Sequence, residues 1–138
     1  MEKIGGDQME ESILISIKEG LGITSDYTPF DNQIIMHINS VFMILNRMGV
    51  GLDKTFMIED KANAWSEFIS PDDWDGEYFN LVKTYMVLKV KMMWDPPTTT
   101  TLADAYNRQI EEFEYTLNLR SEIIKHKKLK EEETKNGN

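Results

Sequence analysis

The sequence predicts a mainly α fold, a small bundle of about four helices with a short extended segment between the second and third and a charged helix or tail at the C-terminus. Three observations carry this. Apolar residues recur at spacings of three and four in four separate stretches, as the buried face of a helix does. The stretches are divided by strong stops, Gly49-Val50-Gly51 and Asp95-Pro96-Pro97. The chain has 138 residues, 41% of them hydrophobic, enough for one core and too few for two ordinary ones.

The first helix is expected on Ile13, Leu14, Ile17 and Leu21, about three turns closed by Gly20 and Gly22. The second has a full start signal, with Thr28 to cap, Pro29 first and Asp31 third, where a carboxylate meets the positive end of the helix dipole. Its face runs through Ile34, Ile35, Ile38, Val41, Phe42, Leu45 and Met48. Phe56-Met57-Ile58 is too short to fix a period and reads as an extended segment or small hairpin. Trp65 and Phe68 suggest one helical turn pressed on the core, and Ser70-Pro71-Asp72-Asp73 prepares a third helix that begins between Pro71 and Tyr78.

That helix carries Phe79, Val82, Met86, Val87, Val90, Met93 and Trp94, with Lys83 near the stripe, its stem packed and its ammonium in water. Proline lacks an N–H and pushes the preceding residue out of the α region, so Asp95-Pro96-Pro97 ends it. Thr101, with Asp104 three residues on, is expected to cap the fourth helix, which presents Leu102, Ala105, Tyr106, Gln109, Ile110, Phe113 and Leu117. Beyond Leu119 the stripe thins to Ile123, Ile124 and Leu129 among charges. The expected division is therefore a helical domain over 1–119 and a charged, partly flexible segment over 120–138. A chain ended at Leu119 is expected to fold.

Charge and composition exclude several functions. The formal charge of −9 opposes a protein that grips nucleic acid or an anionic membrane through clustered Lys and Arg. The balance is uneven, with seven acids and two bases in 1–33 but eight and seven in 102–138. Zero cysteines exclude disulfides and thiolate metal sites. Met1–Gln8 holds no apolar run of a secretory signal, and no run approaches the roughly 18 residues of a membrane span, so a soluble, non-secreted protein is expected.

No catalytic, cofactor-binding or metal constellation emerges. Asp72, Asp73, Asp75, Gly76 and Glu77 fail the calcium-loop pattern, because aligning Gly76 as its glycine puts Pro71 first and Val82 where a bidentate Glu belongs. Gly49-Val50-Gly51-Leu52-Asp53-Lys54-Thr55 fails as a phosphate loop, because Asp53 stands where a glycine must precede the lysine. His37 lies beside an apolar face without a ligand pair, and Glu122 with His126 reads as a solvated pair. What remains is contact surface. Three Trp, five Tyr and six Phe exceed what so small a bundle encloses, so at least one of Trp65, Trp74, Trp94 and Tyr115 is expected to face a partner.

Phe30-Asp31, Ile34, His37-Ile38-Asn39, Phe42, Leu45 and Gly49-Val50-Gly51, followed by Val82-Lys83, Tyr85, Leu88-Lys89-Val90, Asp95-Pro96-Pro97-Thr98, Glu114 and Leu117-Asn118, resemble the head-to-tail connector, or adaptor, proteins of tailed phages. The resemblance spans roughly residues 12–118, and its most specific piece is the lysine-bearing helix running into Asp-Pro-Pro-Thr. Met93-Trp94 and Arg47-Met48 depart from the family's pattern at those places.

The resemblance implies a non-enzymatic structural subunit with no cofactor, assembled in a ring of about twelve copies below the portal. It would sit at the neck of the virion, reached from the host cytoplasm during assembly. Its partners would be other copies of itself, the portal protein and a stopper or tail-completion protein, with DNA only as passing cargo and no membrane. Portal docking is expected on Arg120, Lys125, Lys127, Lys128 and Lys130, and contact between subunits on Trp65, Trp94, Asp95, Pro96 and Pro97. An acidic bore would repel the passing duplex. The rival reading is an acidic phage inhibitor that mimics DNA and occupies a host nucleic-acid enzyme, which calls for acids spaced regularly along one face.

Overall fold

The computed structural model describes residues 10–51, 54–73 and 75–137. Trp74, the N-terminal acids of Met1–Met9 and the Leu52-Asp53 pair of the glycine stretch lie outside the described residues. Four helices make the fold, α1 (Ile13–Gly20), α2 (Asp31–Arg47), α3 (Gly76–Trp94) and α4 (Thr100–Asn136), and no strand appears among the described residues.

α1 is just over two turns rather than three, with Ser12 Oγ accepting from the Ile15 amide at 3.2 Å to cap it. It ends at Gly20 because Gly22, at φ 81°, turns the chain away. Every apolar position it offers the core is taken, and Ile13 and Ile17 are fully buried. Its surprise is Lys18, only 1% exposed. The ammonium donates to the carbonyls of Tyr27 at 2.7 Å and Ser25 at 3.2 Å and pairs with Asp31 at 2.8 Å. A buried cation needs this full set of oxygens around it.

The same lysine explains why α2 does not start as expected. Thr28 is not its cap. The helix begins at Asp31 behind Phe30, with no side-chain cap, because the loop is folded around Lys18 and the Asp31 carboxylate faces it. From there the predicted face holds, with Ile34, Ile38, Val41, Phe42 and Leu45 buried. At its end Gly49 and Gly51 adopt φ values of 81° and 91°. Gly51 is doubly constrained, since a Cβ there would lie 2.4 Å from the Phe68 ring.

Residues 54–70 cross the bundle without forming a hairpin. Phe56 and Ile58 are buried while Met57 between them is exposed, the alternation of an extended segment. Asn39 of α2 fixes it, donating to the Ile58 carbonyl at 3.1 Å and accepting from its amide at 2.8 Å. Next, the chain pairs with the start of α1 through Ile13 N–H to Asn63 O at 3.0 Å and Trp65 N–H to Glu11 O at 3.3 Å. Glu67 closes a 3-10 turn over Trp65–Glu67 by accepting from the Ala64 amide at 2.8 Å and from Asn63 at 2.9 Å, which holds its carboxyl below the usual range. This turn drives Trp65 fully into the core, between Phe42 and Phe79, with its indole N–H on Ser16 Oγ at 3.2 Å. Phe42 also meets Phe68 and Phe56, at 4.6 and 5.0 Å between ring centres.

α3 starts at Gly76, inside the expected window, because Asp75 Oδ1 accepts from the Tyr78 amide at 2.7 Å. Its buried residues are Tyr78, Phe79, Val82, Tyr85, Met86 and Val90. Met93 departs from the expected stripe and is exposed, while Met92 and Trp94 on either side of it pack against the core. Lys83 behaves as a snorkel, 5.7 Å from the Phe79 ring centre and 3.7 Å from Glu11. After the prolines the fourth helix begins two residues earlier than expected, because Thr99 and not Thr101 caps it, accepting from the Leu102 amide at 3.3 Å. The helix then continues unbroken through Leu119 to Asn136, so the charged C-terminal stretch is helical. Its 37 residues give it a length of about 55 Å.

Candidate functional site

The sequence-predicted contact residues fall in two places, the Pro-Pro corner and the far half of α4. At the corner the Asp95 amide reaches the Lys91 carbonyl at 2.8 Å, and the two side chains pair at 3.8 Å. Trp94 is half-buried. Its ring meets Phe30 edge-on at 5.5 Å, and Phe30 meets Tyr27 at 5.9 Å, so an aromatic row continues outward onto the exposed Tyr27. Pro96 is exposed and Pro97 partly so. Trp65 does not join them. It is a core residue, because the Glu67-closed turn points it inward, and it offers no surface for a contact.

α4 is fastened to the bundle at successive levels. Near its middle Tyr85 of α3 donates to Glu114 at 2.7 Å, and burial, then this bond and the carboxylate charge, drive the phenol's pKa well upward. Ile110 and Leu117 close the core from above. One turn on, Arg120 forks onto the start of α3, with 2.7 Å to Asp75 and 2.7 Å to Glu77, while its guanidinium lies 5.3 Å from the Tyr78 ring centre. Burial pushes the Tyr78 phenol up to about 12; the Gly51 backbone and Arg120 pull it down, and the charges of Asp73 and Asp75 add to the rise. Ser121 donates to the Met48 carbonyl at 2.9 Å, satisfying the end of α2. Last comes Lys128, paired with Asp73 at 3.0 Å.

The acidic cluster of residues 72–77 thus has its use inside the subunit: Asp75 caps α3 and, with Glu77, receives Arg120, and Asp73 receives Lys128. Two of the five predicted docking cations are therefore engaged on the subunit's own carboxylates. The other three, Lys125, Lys127 and Lys130, are exposed and form no ion pair among the described residues. A cleft of about 300 Å³ opens under this part of α4, between Met48, Gly51 and Tyr78 on the bundle and Ile124, Lys125 and Leu129 on the helix. Pairings that span 43 and 45 residues are beyond sequence periodicity, although Asp75 directly before a helical stretch was a signal for its cap.

Among the described residues no helix is long and apolar enough to cross a membrane, and no group of three or more His, Asp or Glu could hold a metal ion. The surface of this small helical bundle offers an aromatic corner and a projecting charged helix. The chain belongs to a phage family described as phage connector protein, whose profile matches residues 13–123, from the first residue of α1 to just past the Arg120 fork. No curated protein and no solved structure matches it.

Proposed function

We propose that this connector protein is the subunit of a ring, of about twelve copies, that sits below the portal in the virion neck and joins the DNA-filled head to a stopper or tail-completion protein. It acts by assembly, without catalysis or cofactor, and is made in the host cytoplasm. The observation that supports this best, beside family membership, is the outer half of α4: a helix that leaves the core after Ile124 with Lys125, Lys127 and Lys130 unpaired. Such a segment, 120–138, suits docking into an acidic portal groove, with Arg120 and Lys128 bracing it on the bundle. The corner at Trp94–Pro97 offers a smaller contact to a neighbouring subunit. A DNA-mimicking inhibitor, by contrast, needs a free row of acids, and Asp73, Asp75 and Glu77 are paired.

The test mixes the purified protein with portal rings of its phage and images them. Stoichiometric decoration of one end is expected, and no association overturns the proposal. A truncation sharpens it, but a cut at Leu119 would remove Arg120, buried Ser121 and half-buried Ile124. A chain ended at Lys125 keeps all three. It is expected to fold, with helical signal reduced only by the part of α4 removed, and to lose portal decoration; retained decoration counts against docking through α4.

A further inference from the structure

α4 bears a second apolar stripe that the core does not use. Tyr115, Leu119 and Ile123 follow one another at four-residue steps on the side of the helix opposite Ile110, Leu117 and Ser121, and are 71, 49 and 56% exposed. α2 has its own: Met36 and Met43, on the side opposite Ile34, Ile38 and Leu45, are 68 and 55% exposed. Asn39, beside that line, anchors the extended segment at Ile58, which brings exposed Met57 next to it. In a chain that is 28% charged, two uncharged apolar lines facing water call for an occupant.

We propose that the two stripes are the two halves of one contact: the Tyr115–Leu119–Ile123 line of one copy packs antiparallel on the Met36–Met43 line of the next. The lengths agree, eight residue steps or about 12 Å against seven steps or about 10.5 Å. Charge decides the direction. Arg47 lies one turn beyond Met43, and Glu111 and Glu112 lie one turn before Tyr115; none of the three has an ion-pair partner among the described residues. Antiparallel packing sets Arg47 on these glutamates, nearer than Arg108 a turn further back. Parallel packing would set Arg47 against Lys127 and Lys130. Methionine on one side and an aromatic with branched aliphatics on the other make an adaptable apolar seam. Because the faces differ, the contact is head-to-tail and repeats around an axis, as a closed ring requires. The inference deepens the ring reading and rests on it.

The chain has no cysteine, so single cysteines report the contact cleanly. Met43→Cys mixed with Tyr115→Cys and treated with a short bis-maleimide is expected to give cross-linked dimers. Neither variant alone should do so, and Met43→Cys with Ile123→Cys should give at least about tenfold less. Efficient product from Tyr115→Cys alone means a symmetric contact and overturns the proposal; so does preference for the Ile123 pairing, or no product in concentrated protein. Arg47→Glu should weaken association about tenfold, with recovery on adding Glu112→Arg. Portal decoration is scored on unmodified protein, so a failed cross-link with normal decoration sinks this contact and leaves the connector reading standing.

Discussion

α3 and α4 meet at the proline corner and run antiparallel side by side, yet they are built for different ends. α3 buries six of its 19 residues, whereas α4 buries three of 37. The core is thus a matter for α1, α2, α3 and the turn that carries Trp65, and α4 lies across it held by a few apolar residues and polar fastenings. A helix so thinly anchored owes its length to something other than the stability of the bundle, because exposed helix without a packed face is marginal in water.

The difference can be broken at either helix, and the expected effects run from large to small. Phe79→Ala in α3, which removes a ring packed on Trp65, should cost about 3–5 kcal/mol in denaturant unfolding. Next is alkaline pH. Tyr78 and Tyr85 hold their protons more tightly folded than unfolded, so their stabilisation is complete below pH about 10 and is lost as pH rises through the folded values, about 12 for Tyr78. Unfolding free energy should therefore be level up to pH about 10 and fall above it, by on the order of 2 kcal/mol, and the double Phe variant should flatten that fall. Tyr85→Phe alone, which frees Glu114, should cost about 1–2 kcal/mol at neutral pH. Arg120→Ala and Lys128→Ala break partly exposed pairs and should each cost under about 1 kcal/mol, with raised hydrogen exchange confined to residues after Leu119. Leu119→Ala, on the outward stripe, should change stability by no more than about 0.5 kcal/mol.

The same contrast separates what was legible in the sequence from what was not. The buried faces of α2 and α3 could be read because each is a long run with a clear 3.6 period, and the two stops could be read because glycine and proline act locally. Boundaries went astray where a distant partner decides them. Thr28 fails as the cap of α2 because Lys18, ten residues earlier, gathers the loop and Asp31 around itself, and a lysine on a helix reads as solvated until its oxygens are seen. Thr99 caps α4, and with four consecutive threonines the sequence offers several equivalent caps within one turn. At the candidate site, the cations after Leu119 were visible, but which of them are already held was not. Arg120 and Lys128 find carboxylates more than forty residues away, and no local pattern records that. Trp65 could be read two ways, as a turn pressed on the core and as a contact for a neighbour, and the Glu67 closure that settles it for the core has no local signature.

The unbroken course of α4 turns a chemical fastening into a mechanical one. From Arg120 to Asn136 the helix extends about 24 Å, so a tilt of about 10° at its root swings the tip by about 4 Å, more than the length of a hydrogen bond. The fork of Arg120 on Asp75 and Glu77 is the fulcrum of that lever. Small rearrangements at the start of α3 are amplified into displacements at the far end, and a push on the tip returns to the bundle as torque shared by the Arg120 fork and the Lys128–Asp73 pair.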